Sequence, residues 1–577
     1  MVAMNNFEVA AFFNKMASLL EFRGENPFRI KAYEKAARNI KSLDEELSAY
    51  YDQKGRVPKI PGVGRATKEK VVEILDTGTF REYEETVADI PPGILDILDI
   101  PGIGPKTAKL FYERLDVTSV DDLVKAAEQH RIRRLPRMGP GKEENILRSV
   151  QLHLENSERG RTPLATAAPI AELIREELNA CPCIKELIDA GSLRRRKDTL
   201  GDINLLALSD NPDEALDDFV NLSDITEVID KNKDFCSVVY RGEVRIDLRI
   251  VPEGSFGSFL QYYTGSKEHN RHLQYLALQS GYILNEHGFT NTGTDDTIRC
   301  EEEKQVYDFL GIDYPVPELR EDRGEIEAGM ENRLPELIET GDIKGDLHVH
   351  STWSDGKHTI EELALDARER GYEYIAITDH SPSTAIANGL SDKRLTEHAK
   401  EVEKADENIE GIRILSGTEC DIRSNGKLDY SNRLLENLDI VIAAVHAGLD
   451  QQEKTMTKRM VAALENEHVD ILAHPTGRKF GKRGAYDFDL EKVFQTALDN
   501  EKILEINSSP KRLDLNDTHA RIAKEMGIKV AINTDTHRLD NFNNIRYGVD
   551  VARRAWLEPK DVVNTRKLKD IESLLGI

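Results

Sequence analysis

Hydrophobic residues fall into two rhythms along this chain. Through the first 115 residues they recur at helical spacing. The stretch 7–50 reads as amphipathic helices packed in a small bundle. IPGVGRATKEKVVEIL (60–75) and IPGIGPKTAKLFYERL (100–115) each run from a Pro-Gly-x-Gly turn into an amphipathic helix, and LPRMGPGKEENIL (135–147) is a weaker copy. From about residue 341 the apolar positions instead form short unbroken runs, YIAIT, IVIAAV, VDILA and KVAIN, which predict parallel strands buried on both faces. In between, GSLRRRKDTLGDINLLAL (191–208) reads as a helix passing into a strand, EVRIDLRIVP (243–252) as a second strand, and QYYTGSKEHNRHLQYLAL (261–278) as a Gly turn opening a helix.

The buried runs near the C-terminus end in chemistry. DLHVHSTWSDG supplies His348, His350 and Asp355; AITDH ends at His380; GTECD holds Glu419; AAVH and LAHP end at His446 and His474; NTDTH gives Asp535 and His537. Residues i and i+2 of a strand point the same way, so His348 with His350, and Asp535 with His537, can enter one pocket. Ligands at the carboxyl ends of parallel strands fit the active face of a βα barrel. All nine are nitrogen or oxygen donors, although Cys420 adjoins Glu419, and imidazole with carboxylate suits Mn, Zn or Fe. Nine donors exceed the need of one tetrahedral ion, so two or three are expected. Clustered ions clamp a phosphate and acidify water, which suits phosphoester hydrolysis.

Composition narrows the setting. A chain of 577 residues holds several domains. No run of 18 apolar residues exists and the N-terminus lacks a signal-peptide pattern, so a soluble cytoplasmic protein without membrane contact is expected. Five cysteines at irregular spacing do not form a disulfide framework, and the C-P-C at 181–183 lacks the second pair of a zinc knuckle. The net charge of −26 argues against a nucleic-acid partner only as an average, because RIRRLPR (131–137) and GSLRRRK (191–197) are basic patches.

The ligand order H-x-H, D, H, E, H, H, D-x-H over 341–577 resembles the PHP (polymerase and histidinol phosphatase) family. That resemblance implies a distorted (β/α)7 TIM-like barrel with up to three ions, Mn2+ and/or Zn2+, and makes Glu419 the bridging and catalytic carboxylate; Asp379 would orient a ligand at most. Arg478, Lys479 and Lys482, just after His474, are candidates to hold a DNA backbone. The Pro-Gly-x-Gly units resemble helix-hairpin-helix motifs, which implicates Gly62, Gly64, Gly102 and Gly104 in gripping DNA phosphates without reading sequence.

Residues 1–316 resemble the family-X DNA polymerases, whose palm is an α+β nucleotidyltransferase. By motif, Ser192, Arg195 and Gly201 fall where the deoxynucleoside triphosphate is held, Tyr262, Tyr263 and Gly265 where the sugar is checked, and Asn270 at the minor-groove edge of the base. Asp202 and Asp247 match metal-binding catalytic carboxylates for Mg2+ or Mn2+. Lys70 matches the Schiff-base amine of a sugar-phosphate lyase. The family strand reads G-D-x-D, but this chain reads Gly201-Asp202-Ile203-Asn204. An amide at Asn204 cannot bridge two cations as a carboxylate does, so nucleotide addition should be weak, manganese-dependent or absent.

The expected organisation is a helical DNA-binding domain with the first hairpin motif (1–85), a fingers-like hairpin region (86–155), palm (156–260), thumb (261–316), acidic linker (317–340) and PHP domain (341–577). This order resembles the PolX proteins of bacteria and archaea. It implies a DNA-repair enzyme, acting as a monomer on gapped or nicked duplex, 3′ ends and abasic sites, with gap-filling polymerase and 3′-5′ exonuclease or 3′-end-processing activities. The alternatives are a PHP nuclease on a polymerase-dead DNA-binding scaffold, and a small-molecule phosphatase.

Overall fold

The computed structural model describes residues 6–577 apart from 42, 44–46, 48–50, 52–56, 58, 59, 61, 62, 78, 92, 101, 102, 137, 144, 148 and 151–160. Gly62 and Gly102 therefore lie outside the described residues. The chain forms two compact units, one of residues 1–161 with 265–299, the other of 162–264 with 300–577. A unit boundary falls inside the YYTG turn, between Thr264 and Gly265, so the 261–316 segment is shared between units.

The first unit is mainly helical. Helices Asn6–Arg23 and Pro27–Lys41 bury Phe13, Met16 and Tyr33 against Phe80 and the helix Arg65–Thr77. The helix Pro105–Leu115 starts from Gly104 with proline in its first turn, and helix Val120–Glu128 is held by a Ser119–Asp122 capping box. Neither hairpin helix has an acidic residue in its first turn, which leaves each positive end uncompensated.

In the second unit, five strands form the palm: β1 (Ile184–Ala190), β2 (Ile203–Ser209), β3 (Ile225–Lys231), β4 (Phe235–Tyr240) and β5 (Val244–Val251), in the order β1-β2-β5-β4-β3. Only β2 and β5 run parallel, and their register sets Asn204 opposite Asp247.

Seven parallel strands follow in sequential order: β6 (Gly345–Val349), β7 (Tyr374–Ile377), β8 (Arg413–Asp421), β9 (Ile440–Ala444), β10 (Ile471–Leu472), β11 (Ile503–Asn507) and β12 (Val530–Asn533). A bridge from Val349 to Thr536, with the His350 amide donating to the Thr536 carbonyl at 2.8 Å, nearly closes this sheet into a barrel. Alternate residues separate into two cores. Tyr374, Ala376, Leu415, Ile440, Ile442, Ala444, Ile503 and Ala531 pack together in one, while Ile375, Ile377, Ile414, Val441, Ala443, Leu504, Val530 and Ile532 pack in the other with helix residues such as Leu363 and Val493. The first set is the barrel interior, filled by side chains.

The acidic 317–340 stretch, expected as a linker, is packed structure. It contains the helix Glu325–Met330, and its acids face arginines: Glu318 pairs with Arg553 at 2.8 Å, and Glu321 with Arg554 at 2.9 Å and Arg195 at 3.0 Å. Cys181 and Cys183, which the sequence left unpaired, are joined as a disulfide. No helix among the described residues is long and apolar enough to cross a membrane.

Candidate functional site

The two-residue period of the barrel strands accounts for five of the nine ligands, while His348 and His474, each directly after an interior residue (Leu347, Ala473), depart from it. Counting from interior residues, Tyr374 and Ala376 lead to His380, Leu415 to Glu419, Ala444 to His446, and Ala531 to Asp535 and His537. Asp379 has the opposite parity. It turns away from the cluster and accepts from the Ser351 amide at 2.9 Å and hydroxyl at 2.6 Å, with His398 at 3.0 Å.

All nine predicted side chains converge. His350, Asp355, His380 and His537 form one group of potential ligands; His348, His350 and Asp535 form a second; His380, Glu419 and His446 form a third. His474 joins through Glu419, with its Nε2 3.0 Å from Oε1. Glu419 spans the cluster: one oxygen faces His446 at 3.2 Å and His474, and the other faces His380 at 2.8 Å and His348 at 3.6 Å. His474 and Asp535 adopt φ of +27° and +55°, a left-handed backbone that costs non-glycine residues energy.

These side chains are short of partners. Buried and without hydrogen-bond partners are His348 Nε2, both nitrogens of His350, His380 Nδ1, His474 Nδ1 and Glu419 Oε2. Unmade bonds of this kind are costly, and divalent cations would satisfy them together. The charge balance agrees. Burial lowers His350 to about 4, helped by His537 and His380. Against the same burial, Glu505 and Glu419 hold His348 well above its ordinary value, and Glu419 carries His446 to about 10. The donor set and its orphaned atoms fit a cluster of cations.

Residues not singled out from the sequence support this arrangement. Glu505, fully buried, lies 2.7 Å from His348 Nδ1 and accepts from the His474 amide at 2.9 Å, Asn507 at 3.1 Å and Asn533 at 3.0 Å. Every carboxylate oxygen is thus engaged, so Glu505 orients His348 while leaving Nε2 free to bind a cation. Its signal was a lone acid in the apolar run KILEIN, two residues after the interior Ile503. Asp421 does the same for His446, 3.2 Å from Nδ1.

The mouth is a cavity of about 880 Å³ that includes Asp355, His380, Glu419, His446, Asp535 and His537. Lys479, Arg483, Lys511, Arg512 and Arg538 also line it. Arg512 is nearly buried, 3.7 Å from Asp535, with Nη1 unpartnered. Burial, then Arg512, lowers Lys479 to about 8. Arg478 is not in this wall: it pairs with Asp198 at 3.0 Å and donates to the Arg512 carbonyl at 2.9 Å and to that of Leu513. Lys482 does not line the cavity either.

The palm brings some predicted residues together and separates others. The Asn204 amide donates to Asp202 at 2.7 Å, and Gly191, beside Ser192, has φ +59° where a Cβ would stand 3.0 Å from that amide. Asp247 accepts from Ser237 at 2.6 Å and from Arg245 Nε and Nη2 at 2.9 Å. Gly201 is exposed at the start of β2. Arg195 is not free to meet a triphosphate, being nearly buried between Glu321 and the Thr264 carbonyl. Tyr263 stacks on Phe259 at 5.9 Å and under Arg249 at 4.8 Å, with Tyr262 edge-on. Gly265 (φ +69°) and Asn270 belong to the first unit. In that unit Gly64 and Gly104 are unobstructed, and Lys70 is held by Glu82 and the Tyr33 hydroxyl.

Comparison with known proteins matches these regions to families. Residues 4–80 match a helix-hairpin-helix domain, 94–151 a SAM-like helix-hairpin-helix tandem, 259–321 the DNA polymerase beta thumb and 346–509 the PHP domain. The chain is 36% identical over 574 residues, 99% of each chain, to the DNA polymerase/3′-5′ exonuclease PolX of Bacillus subtilis. It is 26% identical to rat DNA polymerase lambda over 55% of this chain and 56% of that one. A probable phosphatase of Thermoanaerobacter sp. is 32% identical over 38% of this chain and 89% of its own length. A relative so similar from end to end shows that this chain belongs to the PolX family, in which a family-X DNA polymerase module is joined to a PHP domain.

Proposed function

We propose that this protein is a DNA-repair enzyme that extends 3′ ends in gapped or nicked duplex with its palm and removes 3′ nucleotides, including ends at abasic sites, with its PHP barrel. The observation that carries the reading is the convergence of nine ligand side chains, five of them with buried unpartnered atoms, beneath a basic cavity mouth. His348, His350, Asp355, His380, Glu419, His446, His474, Asp535 and His537 would hold up to three Mn2+ or Zn2+ ions, which when bound polarise phosphate and acidify water. Glu505 and Asp421 fix the imidazoles of His348 and His446. Arg512 donates its free Nη1 to a phosphodiester oxygen, and Lys479 adds charge at the same wall.

In the palm, Asp202 and Asp247 would hold Mg2+ or Mn2+ with Asn204 as a neutral ligand, and synthesis is correspondingly weak. Deoxynucleoside triphosphates are the substrates, with Ser192 at the triphosphate and Tyr262 and Tyr263 at the sugar. Gly64 and Gly104 present helix amides to DNA phosphates. The protein acts in the cytoplasm as a monomer. The test is a gapped-duplex assay with Mn2+ following synthesis and degradation together. His348→Ala should abolish degradation and spare synthesis; undiminished degradation would refute the PHP assignment.

A further inference from the structure

The cavity mouth has two unlike walls. One is cationic, with Arg512 and Lys479 over the ligand cluster. The other is the turn Thr384–Ala387, where Ile386 is 100% exposed; no other large apolar side chain among the described residues is as exposed. A lone exposed apolar side chain is ordinary on a protein surface, and what sets Ile386 apart is its place in the wall of the cavity that holds the ligand cluster.

The turn is rigid. Ser381 donates to Asp429 at 2.8 Å and the Ser383 amide donates to the same carboxylate at 2.7 Å, while Thr384 donates to Asp421, the residue that orients His446. Asn388 closes the turn with φ +58°, and its side chain donates to the Trp353 carbonyl at 3.0 Å. The turn, the lip of the cavity, begins four residues after His380, which ties it closely to the ligand cluster.

We propose that Ile386 forms a nucleobase subsite for the 3′-terminal nucleotide. This inference rests on the exonuclease reading above and names how the substrate is seated. A nucleotide is itself two-sided: its phosphate is anionic and its base offers a flat apolar face. With the phosphodiester held at Arg512 and the cation cluster, the base of the leaving nucleotide lies against Ile386, unstacked from its neighbour. Contact with a base face is indifferent to sequence, as removal of successive nucleotides requires. A free phosphate monoester without a base would not need the lip.

The test uses the full-length protein with Mn2+ and two single-stranded oligonucleotides, one ending in an ordinary 3′ nucleotide and one in a 3′ abasic nucleotide, measuring kcat/KM for each. The native protein prefers the base-bearing end, and Ile386→Ala reduces that preference about tenfold, the scale of removing partly buried methyl groups. Ile386→Leu restores it. An unchanged ratio in Ile386→Ala, or no preference in the native protein, overturns the subsite. Failure of the native protein to cut either end overturns the nuclease reading, and the two failures are distinguishable.

Discussion

Asn204→Asp restores the carboxylate that family-X palms carry on this strand, and its effects can be worked out from two contacts. In the native chain the Asn204 amide donates to Asp202 at 2.7 Å, so a neutral N–H donor stands where a second carboxylate would face Asp202. The substitution removes a hydrogen bond to a charged group, about 1.5–3 kcal/mol. It also sets two like charges some 4 Å apart, a repulsion of about 1 kcal/mol in water and about 4 kcal/mol at an effective dielectric of 20. Both residues are half-buried, so the total cost without metal is about 2.5–7 kcal/mol. Divalent cations should reverse the sign. In chelator the variant should melt below the native protein, and in Mg2+ the gap should close. Primer extension on gapped DNA in Mg2+ should rise at least about tenfold, since recovering 1.4 kcal/mol of transition-state stabilisation suffices for that. The reasoning fails if native protein already extends primers robustly in Mg2+, or if Asn204→Asp gains nothing.

Three further outcomes follow from buried charge. Glu505→Gln should weaken Mn2+ binding by about 10–100-fold while leaving all nine candidate ligands in place, measured by calorimetric titration. Burial opposes ionisation of Asp517, but Arg554 and Arg323 hold it down at about 2. Its stabilisation is therefore complete above the ordinary carboxylate value and is lost as pH falls toward 2. The stability gap between native protein and Asp517→Asn, about 2 kcal/mol at neutral pH, should narrow between about pH 4 and 2 in urea titrations. Lys70 is bound by Glu82 and Tyr33, whereas a Schiff base needs a free amine. Borohydride should trap no adduct between native protein and abasic DNA, and an adduct that disappears in Lys70→Ala would refute this.

Much of the barrel was legible because its physics is local. A strand buried on both faces must be apolar throughout, so polar residues at its end are conspicuous, and five such ends announced the cluster. Glu505 escaped because it lies inside its run, where only the parity with Ile503 marks it as inward-facing. Asp379 is set apart from His380 by its contacts with Ser351 and His398, which sequence adjacency alone could not decide. In the palm, motif order located Asp202, Asn204 and Asp247, but not the partners that occupy Arg195. Glu321 is 126 residues away, in a stretch whose acidity suggested a linker. Those acids neutralise Arg195, Arg553 and Arg554, pairings that no local pattern encodes. Arg478 was legible as basic but not as already spent on Asp198.

The most direct measurement of the central claim is the metal content of the purified full-length protein after Mn2+ loading and removal of free ion. The account predicts at least two ions per chain in the native protein and their loss in Glu419→Gln, because Glu419 faces both sides of the cluster. Fewer than two ions in the native chain, or an undiminished count in Glu419→Gln, would contradict it.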